Sequence, residues 1–493
     1  MKILLIDPCW YSLQKQSNYI SSVGLAYLGS YLKNKGHECL IYNGDFILKS
    51  ETTHGDLLID YKYYLSNIES ESNPLIDKTL EELEKVMKTF KPDVVGITVL
   101  TAKYRIAKTI AKKIKEMNPK IKIIVGGIHP TSLPNETVKE EEFDIVVRGE
   151  GEISFYNLIE ALEKNKHLDS IEGITYKKNK EIIENPPQSN VEDINSLPFP
   201  KWDLFYRWKE FHPNSFGSVI SSRGCPHDCT FCASKRLWGR KVRFRTPKNI
   251  LDEVKNTHKK FGTTVFRFND DTFTLNKKRT VEFCNGVINE KLNIKWGCDT
   301  RVDSIDLELL KLMKKAGCYQ VCFGIESGNP EILKIIKKGI NLDKVRTAFK
   351  LTKKAKLESV GYFMMGFPTE TKEQVWDTIR LCDELNPDIF RWSLATPFVG
   401  TELYEIAKER NLLPKTKDWS RYFLYSTDMG LSENLTKEDQ EELLEEIRKR
   451  SVKMNKRNDM KRKKNYFLHP LETSKKIKKK IFNLSSRILK TYT

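Results

Sequence analysis

Five things are scarce or missing in this 493-residue chain. No stretch reaches the roughly 18 consecutive apolar residues of a membrane span. The opening apolar run, in "MKILLIDPCW", is too short for a secretory signal and reads as a first strand. The expected compartment is therefore the reducing cytoplasm, where clustered cysteines indicate metal binding or catalysis more than disulfides. No G-x-G-x-x-G follows the first strand, which weakens a dinucleotide-binding role. Acidic residues are scarce at one end: residues 448–493 hold 17 Lys/Arg against 2 Asp/Glu, so +15 of the net +18 lies there. Outside that tail the chain is nearly neutral. No basic groove interleaved with aromatics occurs elsewhere, so nucleic acid is not the expected partner.

What is present is a normal share of core-forming residues: 39% hydrophobic beside 30% charged, which excludes a disordered chain. Residues 1–164 alternate strand and helix. "KILLID", "ECLIYN", "DVVGITVL", "KIIVGG" and "FDIVVRGEGE" are strands, and the amphipathic segments between them are helices. This pattern predicts a doubly wound parallel sheet whose ligand site lies at the carboxyl ends of its strands. Residues 165–215, with "NPPQSN" and "LPFPKWD", read as a hairpin and a proline-punctuated linker. Residues 216–412 hold six further β/α units, enough for a partial TIM-like barrel. Residues 413–493 form a C-terminal region that turns helical near Lys437 and then strongly basic.

The first unit of that second series carries "RGCPHDCTFC". Cys225, Cys229 and Cys232 are spaced C-x3-C-x2-C. Three thiolates do not close a tetrahedral structural site, but they hold a 4Fe–4S cluster with one iron left open for a substrate or cofactor. The alternative is a zinc site completed by His227, which lies between the first two cysteines and would be cramped as a fourth ligand. The other seven cysteines sit in apolar segments and read as small buried hydrophobes.

The three-cysteine loop resembles the signature of radical S-adenosylmethionine (SAM) enzymes. In that family the open iron chelates SAM, and an electron from the cluster cleaves it to methionine and a 5′-deoxyadenosyl radical. The resemblance extends over residues 216–412 through "NDDTFT", "GIESG", "MMGFPTET" and "TPFVGTELY". It implies SAM contacts from Phe231, Asp270, Asp271, Glu326 and Gly366. For Asp270 and Asp271 the competing role is capping a turn or helix, and for Glu326 a core salt bridge.

The first sheet resembles cobalamin-binding domains, through "TVL" (Thr98–Leu100) after one strand and Gly126–Gly127 after the next. The resemblance implies cobalamin contacts from Thr98, Leu100, Gly126, Gly127, His129, Gly149 and Glu150. The D-x-H-x-x-G that supplies a cobalt-binding histidine in many such proteins is missing. "TTHGDL", with His54, is a near-miss in the 47–76 insertion. The cobalt is therefore expected without a histidine, its lower face near Cys9 and Trp10. Together the two resemblances imply a 4Fe–4S cluster, SAM and cobalamin. They also imply a low-potential electron donor such as flavodoxin or ferredoxin, and methyl transfer to an unactivated carbon of a small-molecule or lipid substrate. A non-methylating radical reaction, such as ring formation or oxidation, is the alternative. A zinc-stabilised binding protein is the rival from outside the enzyme class.

In the tail, Ile477, Ile481, Leu484, Ile488 and Tyr492 recur at spacings of three and four among lysines. Residues 475–492 thus read as an amphipathic helix suited to the anionic inner face of a membrane. A solvated helical tail and a nucleic-acid arm are the alternatives.

Overall fold

The computed structural model describes residues 1–14, 22–48, 61–70, 73–414 and 417–468. The chain divides into two compact units, residues 1–440 and 441–493. His54 and residues 475–492 lie outside the described residues.

Apolar, β-branched strands build the first sheet. β1 (Lys2–Asp7) is central, flanked by β2 (Glu38–Asn43) and β3 (Val94–Thr98), with β4 (Lys122–Gly126) and β5 (Ile145–Val147) beyond. These five are parallel, in the order 2-1-3-4-5. Ile3 to Ile6 are fully buried, as expected of a parallel strand covered on both faces. The order reverses at β1, so the crevice at its carboxyl end is the natural ligand site. The hairpin β6 (Ile174–Lys178) and β7 (Glu181–Glu184) adds to this sheet, β6 pairing antiparallel with β5. The fifth strand is shorter than its sequence suggested: it ends at Val147, and a helix starts at Gly151. Within the 47–76 insertion, Tyr61–Glu69 is helical.

The proline-rich linker is not a loose tether. Trp202, Phe205, Phe211 and Phe216 are buried in the first sheet's core, and Phe211 stacks on Phe46 with ring centroids 3.7 Å apart. This aromatic seam leads into the second sheet.

That sheet opens with β8 (Ser218–Val219). The chain then leaves it to form a two-stranded ribbon from β9 (Ser222–Arg223) and β10 (Arg243–Phe244), which bracket the cysteine loop. β11 (Val265–Phe268), β12 (Lys295–Thr300), β13 (Cys318–Glu326), β14 (Glu358–Met365) and β15 (Ile389–Leu394) complete six parallel strands in the order 15-14-13-12-11-8. β8 and β15 remain separate edges, so the barrel is partial. Side-chain caps start most of its helices, including a capping box of Thr371 and Gln374. The seven scattered cysteines are all buried. The last helix runs from Lys437 to Leu468. Among the described residues, no helix is long and apolar enough to cross a membrane.

Candidate functional site

Gly224 turns the chain out of β9 into the cysteine loop. Its φ is +99°, and a Cβ there would lie 2.5 Å from the Lys241 carbonyl oxygen, so only glycine fits. Cys225 and Cys229 are half-buried and Cys232 is exposed. The loop is stapled from two sides: Thr230 N–H donates to Ile336 O (3.0 Å), and Leu403 N–H donates to Thr230 O (2.8 Å). Burial raises all three thiol pKa values, that of Cys232 to about 11. Lys338 and Arg301 oppose that rise at Cys229. Metal ligation favours the thiolate, and both cations favour it in the same way.

The two aspartates after β11 divide their roles. Asp270 is fully engaged inside the protein. It accepts Ser221 N–H (2.7 Å), the Ser221 and Ser222 hydroxyls, and the Arg279 guanidinium at 3.4 Å. It therefore ties β11 to the base of the cysteine loop, an internal role that its burial at 2% exposure matches. Asp271 takes one hydrogen bond, from Ser234 Oγ (2.6 Å), and lines the main cavity. Burial raises its pKa.

Glu326 closes β13 with φ +70° and is paired with Lys338 Nζ at 2.8 Å. The core salt bridge weighed as its alternative thus exists, at the inner edge of the site. Gly366, φ +86°, donates its N–H to Glu370 Oε2 (2.6 Å), which also accepts Phe367 N–H (3.2 Å). Space near Gly366 is open, with Leu394 Cδ2 at 4.0 Å the nearest atom a Cβ would meet. Phe231 is half-buried, its ring 6.2 Å from that of Phe367.

A cavity of about 560 Å³ joins the two sheets. Thr98, Leu100, Gly126, Gly127, Gly149 and Glu150 line it from the first sheet, and Cys232 and Asp271 from the second. The glycines serve different ends. Gly127, φ +107°, sits where a Cβ would be 2.9 Å from Val99 O, so its backbone presses against the loop after β3. A Cβ on Gly149 would meet nothing within 4 Å, leaving that wall open. Deeper in, Gly96 lets the side chains of Leu5 and Phe155 close over the strand: a Cβ there would lie 2.9 Å from Leu5 Cδ2 and 3.2 Å from Phe155 Cζ.

Three expected cobalamin contacts are not in this cavity. Cys9 is fully buried against Gly44, and burial pushes its thiol up to about 12. Trp10 packs edge-on against Tyr11 and Phe423. His129 is buried between Tyr104 and Trp419, with Nδ1 3.3 Å from Thr101 Oγ1, and burial lowers its pKa to about 3. The reason is the same in each case: apolar bodies at the strand ends were taken into the core.

Conversely, Arg223 and Trp238 line the cavity although neither was singled out from the sequence. The Arg223 guanidinium lies 4.9 Å from the Trp238 ring centroid and pairs with Glu150 (3.3 Å) and Glu152 (2.6 Å). Arg243 also pairs with Glu150. These buried charges tie the "GEGE" turn of the first sheet to the ribbon beside the cysteines. The only hint was the position of Arg223, two residues before Cys225.

The residues present fit the implied groups. Three thiols share one short loop beside two cations. Among the described residues, the ligand atoms that gather within 4.8 Å of one another, as a single ion needs, are those of His37, Glu160 and Glu163 rather than the cysteines. Glycine-lined walls leave a deep, largely apolar cavity at the carboxyl ends of β3 and β4.

This arrangement defines a two-domain enzyme that places a cobalamin-type pocket against a three-cysteine loop. Comparison with known proteins agrees. Residues 219–382 match the radical SAM superfamily, and residues 14–159 match the B12-binding domain. The chain is 39% identical over 348 residues to an uncharacterized methyltransferase of Pyrococcus horikoshii, covering 70% of this chain and 76% of that one. It is 29% identical over 354 residues to an anaerobic magnesium-protoporphyrin IX monomethyl ester cyclase of Cereibacter sphaeroides, covering 69% of this chain and 57% of that one. Among solved structures, the cobalamin-dependent SAM radical enzyme OxsB, with aqua-cobalamin and SAM bound, superposes with a TM-score of 0.67 at 17% identity, covering 98% of this chain and 75% of that one. The radical SAM methyltransferase TsrM of Kitasatospora setae gives 0.66 at 17% identity, covering 84% and 77%. The protein belongs to the cobalamin-dependent radical SAM methyltransferase family, whose cofactors are a 4Fe–4S cluster, SAM and cobalamin.

Proposed function

We propose that the protein methylates an unactivated carbon of an apolar small molecule or lipid. The observation that carries this is the single cavity shared by the glycine-lined wall of the first sheet and by Cys232 and Asp271 of the second. When bound, the cluster and SAM supply a hydrogen-abstracting radical, and cobalamin supplies the methyl group.

The chain's own part is placement. Cys225, Cys229 and Cys232 hold the cluster on a loop stapled at Thr230. Asp271, whose single internal hydrogen bond leaves acceptor capacity, meets the SAM ammonium. Glu370 fixes the Gly366 turn against which SAM lies. Thr98, Leu100 and the Gly126–Gly127 pair carry the cobalamin, and the apolar lining takes up the apolar body of the substrate. In this reading residues 1–164 bind cobalamin, 165–215 join, 216–412 bind cluster and SAM, and 413–493 form the C-terminal region. A flavodoxin or ferredoxin is the electron donor.

The test is anaerobic reconstitution of the full chain with iron, sulfide and hydroxocobalamin. Wild type should retain about four irons and one cobalamin and form 5′-deoxyadenosine only under reduction. A Cys225→Ala/Cys229→Ala/Cys232→Ala variant should lose the iron and the cleavage. Zinc in place of iron, with no cleavage product, refutes the reading.

A second reading, ring formation with the same cofactors, is favoured by one observation: three of the relatives are named as cyclases of magnesium-protoporphyrin IX monomethyl ester. Product mass separates the two, since methyl transfer adds one CH2. We also propose that residues 475–492 rest on an anionic membrane surface, supported by their apolar spacing among lysines. Co-sedimentation with phosphatidylglycerol vesicles, lost on truncation at residue 474, is the expected result.

A further inference from the structure

Lys338 and Glu326 form an ion pair within the wall behind the cysteine loop. Nζ to Oε1 is 2.8 Å, and each side chain is only 9% exposed. Several independent features of the backbone are arranged around this pair. Glu326 has φ +70°, an uncommon conformation for a residue with a Cβ, and the β13–β14 register slips between Gly324 and Glu326. Gly324 leaves the room: a Cβ there would lie 2.5 Å from Glu326 Oε1 and 2.8 Å from Lys338 Nζ. The turn that carries Lys338 is held by Arg301, which donates to Lys338 O (3.1 Å) and Gly339 O (3.2 Å). Arg301 is itself oriented by Asp303 (2.8 Å). The same turn accepts the Thr230 N–H of the cysteine loop at Ile336 O. Lys338 Nζ also lies 5.7 Å from the ring centroid of Phe231, between Cys229 and Cys232 in sequence.

A buried ion pair seldom adds stability over an apolar pair of similar size, so its retention calls for another role. The position of the pair gives one. Lys338 stands over the ring of Phe231, inside the cysteine loop, and the turn that carries it accepts the Thr230 N–H, so both charges lie directly behind the loop. In a poorly solvated wall such charges are weakly screened.

We propose that Lys338 and Glu326 are an opposed pair of positioning charges that set the reduction potential of the cluster on Cys225, Cys229 and Cys232. The proposal rests on the ligation assigned to those cysteines above. One electron enters the oxidised 2+ cluster and leaves it 1+, so the cluster pocket gains one negative charge. Lys338 favours that charge and raises the potential. Glu326 opposes it and lowers the potential. Their balance decides whether a flavodoxin-class donor can reduce the site.

The test is a potentiometric titration of the cluster in the reconstituted full chain, followed by the electron paramagnetic resonance signal of the 1+ state, with titanium(III) citrate as reductant. Lys338→Met should lower the reduction equilibrium about tenfold, 59 mV for one electron. Glu326→Gln should shift it in the opposite direction, and the double variant should return towards wild type. Lys338→Arg should recover most of the loss. A merely structural role would not give shifts of opposite sign. Where Lys338→Met fails to take up iron, Glu326→Gln decides alone: an unchanged or lowered potential overturns the proposal. Shifts of the same sign in both variants, or none in either at full iron content, overturn it too. Wild type without iron would instead overturn the ligation itself, which iron content reports separately.

Discussion

Glu370 offers a stability experiment whose sign and size follow from its surroundings. The side chain is fully buried. Oε2 accepts the N–H groups of Gly366 (2.6 Å) and Phe367 (3.2 Å), while Oε1 has no partner among the described residues. Burial pushes its pKa from the usual 4.5 up to about 8, against the pull of the two backbone bonds. Below pH 4.5 the residue is protonated folded or unfolded and costs nothing. Between 4.5 and 8 the unfolded chain ionises it and the folded chain does not, so stability falls as pH rises through this window. The slope is about 1.4 kcal/mol per pH unit, or about 2–3 kcal/mol between pH 6 and 8. Glu370→Gln keeps an acceptor for the two N–H groups and removes the titration. Urea unfolding of wild type and variant at pH 6 and pH 8, under nitrogen, isolates the term, because the other titrating groups cancel in the difference. The variant should gain about 2–3 kcal/mol on wild type between the two pH values. Parallel pH dependences, or a variant that loses ground at pH 8, would refute the neutral, buried carboxyl.

Asp270→Asn should destabilise the protein by about 2–3 kcal/mol, since it weakens charge-assisted bonds from Ser221, Ser222 and Arg279; thermal melts check this. Asp271→Asn should leave the melt unchanged and weaken SAM binding in equilibrium dialysis. Gly127→Ala forces a Cβ to within 2.9 Å of Val99 O at φ +107°, and cobalamin retained after gel filtration should fall at least tenfold while iron content holds. Cys9→Ser should cost about 1–3 kcal/mol of stability by burying a hydroxyl in an apolar site, with cobalamin retention unchanged. Retention that falls instead would restore Cys9 to the cofactor site.

The comparison of sequence with structure turns on where each signal resides. Hydrophobic period is local, so the parallel strands, their helices and the strand-to-loop transition at the cysteines could all be read from the chain. The Cys225–Cys229–Cys232 spacing is local too, and one loop suffices to express it. Thr98, Leu100, Gly126 and Gly127, singled out by a paired glycine after a strand, all line the cavity. Asp270 and Asp271 could not be told apart. Adjacent carboxylates have the same local context, and only Ser221, Ser222 and Arg279, brought in from elsewhere, occupy one of them. His129 and Cys9 misled for the opposite reason: a chemically versatile side chain at a strand end goes into the core when aromatics such as Tyr104 and Trp419 arrive around it.

By itself, then, the sequence determined the two alternating sheets, the three-thiol loop and the family to which they belong, because each depends on residues close together along the chain. Tertiary structure alone decided that Arg223, Glu150 and Glu152 clamp the two sheets together. It also decided that Lys338 sits behind the cluster loop and that a single cavity reaches both the glycine-lined wall and Cys232. These depend on which distant groups meet once water is excluded, and in that setting an unpaired charge is costly enough to determine the pairing.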